Sequence, residues 1–153
     1  MRIVDSFVVA SGHENRSRAL PGLQALAKNQ FIVAYRDASV HPVGEHEKID
    51  DGVIKVTRSC DGAKNWEPPS VVWQEDGWDC AGSRTLTQTP FGMVMFVFKA
   101  TRSGLKQPIS KAQIIVPSDN GYTWAKLGSE IDLYEDYTEM NTSGYFLTSK
   151  DTG

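Results

Sequence analysis

Hydrophobic and polar residues alternate with a period of two along much of the chain, and the helical period of about 3.6 residues is nearly absent. Short runs rich in β-branched and aromatic residues are separated by Gly, Pro, Asn and Asp, which is typical of strands joined by tight turns. The best helical candidate, 20–28, is short and weakened by Pro21 and Gly22. The predicted strands are 2–10, 23–26, 31–36, 52–58, 70–74, 84–89, 93–99, 112–116, 125–131, 138–142 and 145–150. This pattern predicts an all-β sandwich, barrel or propeller.

A repeat of about 60 residues favours the propeller among these three folds. Segment 29–35 (NQFIVAY) corresponds to 91–97 (FGMVMFV) at an offset of 62 residues. The turn 59–66 (SCDGAKNW) corresponds to 117–124 (PSDNGYTW) at an offset of 58 residues. A unit of this length holds four short antiparallel strands, as a propeller blade does. A third copy is expected to begin within 137–150.

The repeated turn has a structural role that follows from its residue types. Asp61 and Asp119 can accept hydrogen bonds from backbone N–H groups of their own turns. Gly62 in the first copy and Gly121 in the second permit positive φ. Trp66 and Trp124 can fold back over the sheet, and burial of an indole is worth about 2–3 kcal/mol. We therefore expect each turn to fasten the third strand of its unit to the fourth.

The repeated turn resembles the Asp-box, S/T-x-D-x-G-x-T-W, of the sialidase (neuraminidase) and BNR-repeat family. The first copy matches at Ser59, Asp61 and Trp66 and differs at Ala63 and Asn65. The second copy matches at Asp119, Gly121, Thr123 and Trp124 and differs at Pro117. The resemblance covers roughly residues 20–150. It implies an all-β, sialidase-like propeller built from blades of four antiparallel strands.

The resemblance implies one partial propeller domain over 1–153, with about two and a half of the six blades that the family has. An open arc of blades exposes apolar flanks. The chain is therefore expected to be a fragment of a longer protein, or to close the ring as a homo-oligomer. Its expected parts are an outer closing strand at 2–10, blade one at about 18–75, blade two at about 82–132 and the start of blade three at about 136–150.

Long polar loops are predicted on one side of this propeller, and short turns on the other. Long polar loops on a rigid scaffold often carry function, although any one of them can be plain solvated surface. In the family, the loops on that side form a glycan-binding cleft. The long loops are 11–21, 37–52, 75–84 and 101–110.

The resemblance also implies roles for individual residues. Arg18, just before Leu20-Pro21, is similar to the arginine that clamps the substrate carboxylate with two hydrogen bonds in the family's R-I-P motif. The sequence here has one extra residue, so Arg16 is a competing candidate, and a surface arginine is the alternative for both. Arg84 occupies the repeat-related position in the second unit, and Arg36 is a further substrate-binding candidate.

Three aspartates are the catalytic candidates that the resemblance implies. Asp51 would protonate the leaving oxygen, with its pKa raised by burial or by the neighbouring carboxylate of Asp50, and Asp37 is in the same loop. The alternative is that Asp51 is an ordinary turn aspartate before Gly52. Trp78 could stack on a sugar ring or act as an apolar plug between blades, and Asp79 borders the same cleft.

Two functions stay open at this point. The first is part of a glycoside hydrolase acting on acidic or neutral glycans. The second is a non-catalytic module that binds carbohydrate or protein, or that assembles with its own copies. The family's tyrosine–glutamate pair is unmatched, because Tyr134 and Tyr137 lie beside Glu135 and Glu139 without the family context.

Composition excludes several other classes. The net charge is −3 and no Lys/Arg stripe is present, so no nucleic-acid partner is expected. No apolar run approaches the ~18 residues of a membrane span, and the N-terminus lacks the ~7-residue apolar core of a signal peptide. The chain therefore looks cytoplasmic as written, or lacks its leader. No cofactor or metal is expected, since His13, His41 and His46 form no ligand motif.

Cys60 and Cys80 are placed at opposite ends of a unit and are predicted to be free thiols.

Overall fold

The computed structural model describes residues 8–10, 16–39, 50–101 and 109–133. In these residues every regular element is a strand, apart from a single 3-10 turn, so the all-β prediction is confirmed. Residues 8–10 are not in a strand, and the rest of the predicted strand 2–10 lies outside the described residues. The predicted start of a third unit within 136–150 also lies outside them. Over the same described ranges, no helix has the length and apolar character that crossing a bilayer requires.

The first sheet is a four-stranded antiparallel meander in sequence order. Its first strand begins earlier than predicted and passes through Pro21, with a bulge between Ala19 and Gly22. Proline is tolerated there because this strand is the edge of the sheet, where a missing N–H breaks no ladder. The strands are β1 Ser17–Ala27, β2 Gln30–Ala38, β3 Val53–Ser59 and β4 Ser70–Trp73.

The second sheet is also antiparallel, in the order β5-β7-β8-β9, with β6 paired to β7. The two sheets are not closed into a ring by the described residues. The strands are β5 Asp79–Ala81, β6 Thr87–Thr89, β7 Gly92–Thr101, β8 Ile109–Pro117 and β9 Trp124–Leu133.

The predicted strand 84–89 is wrong over its first half, because Ser83–Thr85 is a 3-10 turn. The Thr85 hydroxyl oxygen lies 2.6 Å from the carbonyl oxygen of Phe96 and accepts a hydrogen bond from the Phe96 N–H at 2.9 Å. This side chain therefore takes the place of a backbone ladder pair. The strand that would have paired with β7 is split into β5 and β6.

The hydrophobic core lies between the two sheets. Alternate residues of β2 and β7 point into it, as the period of two predicts. Ile32 and Ala34 of the first sheet are fully buried, as are Met95 and Val97 of the second. The remaining core residues are Ile54, Val56, Trp73, Cys80, Leu86, Met93 and Ile115. The sheets are thus packed face to face. The other face of the first sheet is also largely buried, at Val33, Tyr35 and Thr57.

The two copies of the repeated turn occupy equivalent places. One links β3 to β4 and the other links β8 to β9, which confirms that each fastens a third strand to a fourth. Asp61 Oδ1 accepts hydrogen bonds from the backbone N–H groups of Lys64 at 3.1 Å and Asn65 at 2.9 Å. Asp119 Oδ1 accepts one from the N–H of Thr123 at 2.5 Å.

The backbone of the two turns is also alike. The two residues after the aspartate have φ of 77° and 67° at Gly62 and Ala63, and of 54° and 94° at Asn120 and Gly121. Trp66 and Trp124 are both half-buried, and Trp124 packs against the core. The turns therefore share one left-handed conformation despite their different residues.

Both cysteines are free, as predicted: Cys60 is exposed in the first turn and Cys80 is buried in the core. Burial raises the pKa of the Cys80 thiol to about 12.

Candidate functional site

Charged side chains collect at the end of the sheets opposite the repeated turns. Strand pairing brings the start of β1, the end of β2 and the start of β3 together there. The backbone N–H of Cys80, at the start of β5, donates to the carbonyl of Gly52 at 2.9 Å. The long loops predicted to carry the site connect to the strands at this same end. Successive residues of β2 point to opposite faces, so Arg36 lies between the sheets and Asp37 lies on the other face of β2, where it is also buried.

Three cationic side chains surround the carboxylate of Asp37, which is fully buried. Arg16 Nε donates to Asp37 Oδ1, and Lys55 Nζ lies 2.7 Å from Asp37 Oδ2. Arg18 Nε lies 3.7 Å from the same Oδ2 atom, an ion pair without a hydrogen bond. Burial works against ionisation of Asp37, but these cations outweigh it and hold the pKa of the carboxyl below its usual range. We call Arg16, Arg18, Asp37, Asp51 and Lys55 the Asp37 cluster.

Arg18 is the cluster member with unused hydrogen-bonding capacity. Its Nε atom is buried and has no hydrogen-bond partner among the residues that the structure describes. The guanidinium carbon lies 5.9 Å from the centre of the Tyr35 ring, which is also buried. To the part of the chain that the structure describes, Arg18 donates no hydrogen bond, although Asp37 holds it by charge. A guanidinium presents five N–H donors, so Arg18 is equipped to receive a further acceptor.

Asp51 joins the cluster, but its carboxylate is already occupied. It accepts hydrogen bonds from the backbone N–H of Ser39, at 3.0 and 3.1 Å, and from the Ser39 hydroxyl. Arg16 Nη1 lies 3.4 Å from Asp51 Oδ2. Burial works against ionisation, yet these contacts and the charge of Arg36 hold the pKa of Asp51 below its ordinary value. The expectation of a raised pKa at Asp51 is therefore wrong.

Asp50 faces a different partner. The Thr101 hydroxyl at the end of β7 donates to Asp50 Oδ2 at 3.1 Å. This contact ties the residues before β3 to the second sheet. Since the pKa of Asp51 is lowered rather than raised, the expectation that Asp50 raises it by repulsion is wrong as well.

Arg36 pairs with Asp79 across the two sheets. Its Nη2 and Nε atoms lie 2.6 and 3.1 Å from Asp79 Oδ1, and its side chain is only 1% exposed. Gly52 covers the pair so closely that a Cβ atom there would overlap the Asp79 carboxylate. The structure therefore places Arg36 in a buried inter-sheet ion pair, on the face of β2 opposite to Asp37.

Arg84 and Trp78 lie away from the Asp37 cluster. Arg84 is half-buried in the Ser83–Thr85 turn, where its Cα atom faces Gly22 of β1. Trp78 packs against the core, and Lys99 Nζ lies 4.8 Å from the centre of its ring. Of the two interpretations left open for Trp78, this position favours an apolar plug between the sheets over a platform for a sugar.

The structure adds Lys55, Tyr35 and Ser39 to the residues that the sequence suggested. Lys55 pairs with Tyr35 across β2 and β3 and so lies on the same face of the first sheet as Asp37. The pairing register of β2 and β3 depends on the loop between them, and the loop sequence does not indicate which residues pair. In 16–39, 50–101 and 109–133 no group of three or more His, Cys, Asp or Glu converges as metal ligands do. The three histidines lie outside those ranges.

Comparison with known proteins gives no assignment: no family model matches the chain, and no curated protein matches it significantly. The resemblance to the sialidase family thus depends on the repeated turns and on the residues named above.

Proposed function

We propose that the chain is part of a sialidase-like propeller whose Asp37 cluster binds the carboxylate of an acidic glycan. The observation that carries this proposal is Arg18, which is fixed beside Asp37 while its guanidinium donates no hydrogen bond to any described residue. Arginine recognises a carboxylate through two parallel hydrogen bonds. A sugar acid would provide the acceptor that Arg18 lacks.

The arrangement of the two sheets supports the propeller part of the proposal. Each sheet is antiparallel, and the two pack face to face. Two turns of the same left-handed conformation lie at one end, and the charged cluster lies at the other. Propellers repeat four-stranded sheets in this way, so we interpret the sheets as two successive blades.

The charge of the cluster supports an anionic ligand. Arg16, Arg18 and Lys55 face the carboxylates of Asp37 and Asp51, which leaves one positive charge in excess. Asp37 holds the cations in place before a ligand arrives, so little ordering is needed on binding. A hydrogen bond to a charged group contributes about 1.5–3 kcal/mol.

Binding is better supported than catalysis. A proton donor needs a pKa near the working pH, whereas the contacts of Asp51 keep its pKa low. Its hydrogen bonds to Ser39 instead fix the chain where β2 ends. We therefore assign Asp51 a structural role within the cluster.

The test is calorimetric titration of the full chain with N-acetylneuraminic acid and with its uncharged methyl ester. We expect the acid to bind and the ester to bind at least tenfold more weakly, since the ester lacks the charge that Arg18 recognises. Arg18→Gln should weaken binding of the acid by roughly 10- to 100-fold. Lys64→Gln is the control, because Lys64 is exposed in the first repeated turn at the opposite end of the sheets, and it should leave affinity unchanged.

Equal affinity for acid and ester, or an Arg18→Gln variant that binds as well as the parent, would exclude this site. Hydrolysis of a fluorogenic sialoside by the same chain, lost in Asp51→Asn, would restore the catalytic hypothesis.

A further inference from the structure

A short linker, residues 74–78, leads from β4 of the first sheet to β5 of the second. Gln74, Asp76 and Gly77 are exposed, and the backbone of Gly77 has φ of 75°. Trp78 is half-buried against the core and is the one large apolar side chain of the linker. A segment with so little buried apolar surface belongs to the parts of a protein that open locally at low free energy.

Glu75 fastens this linker to the second sheet by charge. One oxygen of its carboxylate accepts a hydrogen bond from Lys99 Nζ of β7, and the other lies 3.4 Å from Lys126 Nζ of β9. Glu130 of β9 holds the same two ammonium groups, at 2.7 Å from Lys99 and 3.2 Å from Lys126. We call Glu75, Lys99, Lys126 and Glu130 the Glu75 clasp.

Lys99 makes the clasp depend on both carboxylates. Its side chain is only 7% exposed, and a buried ammonium group is costly unless opposite charges surround it. Glu130 is shared among several cations, because Lys126 and Lys111 also lie within 3.8 Å of its carboxylate. Loss of the Glu75 charge would therefore leave Lys99 undercompensated and remove the ionic tie between the linker and the sheet.

The clasp covers a buried thiol. Cys80, two residues after the linker, is fully buried, and it pairs with Lys99 between β5 and β7, so the two side chains share one face of the second sheet. Glu75 and Lys99 lie close enough to the Cys80 thiol to act on its pKa. Trp78 packs against the same core, with the centre of its ring 4.8 Å from Lys99 Nζ. Movement of the linker away from the sheet would therefore uncover Cys80.

We propose that the Glu75 clasp is a salt-sensitive gate. When its charges are screened or removed, linker 74–78 detaches from the second sheet and exposes Cys80, while the two sheets stay packed. The core between the sheets contains none of the clasp residues, and the Arg58–Tyr122 contact lies at the opposite end of the sheets. Opening of the linker should therefore need less free energy than global unfolding.

The test is alkylation of the full chain with iodoacetamide at about pH 8, near the ordinary pKa of a thiol, with the two cysteines measured separately by peptide mass spectrometry. Cys60 is exposed and provides a reference within the same molecule. In the parent, Cys80 should react far more slowly than Cys60. Glu75→Gln should raise the rate at Cys80 by roughly 10- to 100-fold, the equivalent of one lost hydrogen bond to a charged group.

Salt tests the electrostatic part of the proposal. At about 1 M NaCl the Debye length is ~3 Å, so the charges of the clasp are partly screened. The rate at Cys80, relative to Cys60, should rise in the parent and stay nearly constant in Glu75→Gln. A parent rate that salt leaves unchanged would overturn the proposal.

Glu67→Gln is the matched control. Glu67 also accepts a hydrogen bond across the two sheets, from the Tyr122 hydroxyl at 3.0 Å, but it lies near the repeated turns and away from the clasp. Its substitution should leave the rate at Cys80 unchanged. Equal acceleration by Glu67→Gln and Glu75→Gln would show that general destabilisation exposes the thiol, which contradicts a gate.

Urea separates opening of the linker from global unfolding. Labelling through a local opening changes little with urea, whereas labelling through global unfolding rises with the slope m of equilibrium unfolding. Glu130→Gln provides a second clasp variant, and circular dichroism shows that each variant is folded. Rates at Cys80 that follow m in both clasp variants, or that equal the parental rate in both, would overturn the proposal.

Discussion

The most informative single residue is Asp37, because its buried carboxylate organises the cations around it. Lys55 and Arg16 take its two oxygen atoms, while Arg18 stays at 3.7 Å. A buried carboxylate without such partners would be protonated or would destabilise the fold. Because both oxygen atoms have other partners, Arg18 forms no hydrogen bond with Asp37. Its guanidinium is therefore available to another acceptor.

The role of Lys55 can be tested by substitution. In Lys55→Met, Asp37 Oδ2 loses its hydrogen bond, so Arg18 should close onto it. Affinity for the acidic glycan should then fall at least fivefold in the calorimetric titration. Lys55→Arg keeps the charge and should retain most of the affinity. If Lys55→Met binds the acidic glycan as tightly as the parent does, Lys55 is not what keeps Arg18 from pairing with Asp37.

Ala63 provides a test of backbone strain. It has φ of 67° at the place where the second turn has Gly121 with φ of 94°. A side chain in the left-handed region costs about 1–2 kcal/mol, so Ala63→Gly should stabilise the protein by about 1 kcal/mol in urea unfolding. Ala125→Gly, on an exposed strand position, should instead destabilise it by about 0.5–1 kcal/mol. A loss of stability in Ala63→Gly would mean that the strain is absent.

At the scale of elements, the repeated turn couples aspartate ionisation to folding. Hydrogen bonds from the backbone and side chain of Asn65, with one from Ser59, lower the pKa of Asp61 to about 2. The carboxylate of Asp61 therefore binds a proton more readily in the unfolded chain than in the folded one. Asp61 stabilises the fold above its ordinary pKa of 3.8, and that stability is lost as the pH falls toward about 2.

We therefore expect Asp61→Asn to be less stable than the parent at pH 7, with a difference that shrinks between about pH 4 and pH 2. Urea unfolding at several pH values measures this. Asp76→Asn, at an exposed position, is the control that measures what the same Asp→Asn change does outside the repeated turn. A difference for Asp61→Asn that does not change with pH would contradict the role assigned to its carboxylate.

Most elements were predictable because their signals are local. The alternation in 93–99 and the turn residues at Asp61 and Asp119 fix a strand and two turns without reference to the rest of the chain. The early start of β1 was missed because Pro21 reads as a break, and only its place at a sheet edge makes it acceptable. The split of 84–89 was missed because it depends on Thr85 meeting β7 in space.

The candidate site was predictable only in part. Arg16, Arg18, Asp37 and Asp51 meet as their positions at the strand ends suggested. The participation of Lys55, and the placement of Arg36 and Asp37 on opposite faces of β2, follow from the pairing register of the strands. That register cannot be derived from the sequence. The direction of the Asp51 pKa shift depends on Ser39, a partner across the intervening loop.

At the scale of the whole molecule, the two ends of the stacked sheets hold different groups of residues. One end holds the repeated turns, where Arg58 stacks 3.7 Å from the centre of the Tyr122 ring and joins the first sheet to the second. The other end holds the Asp37 cluster and the Arg36–Asp79 pair, which bridges the sheets under Gly52. Contacts at both ends therefore join the two sheets, and the proposed binding of a ligand by Arg18 depends on them.

The central claim, that Arg18 receives the carboxylate of a sugar acid, is tested most directly by a crystal structure of the chain with N-acetylneuraminic acid. The account predicts the carboxylate on Arg18, with two N–H···O contacts of about 2.7–2.9 Å. A sugar bound with its carboxylate away from the Asp37 cluster, or an empty cluster at saturating ligand, would contradict it.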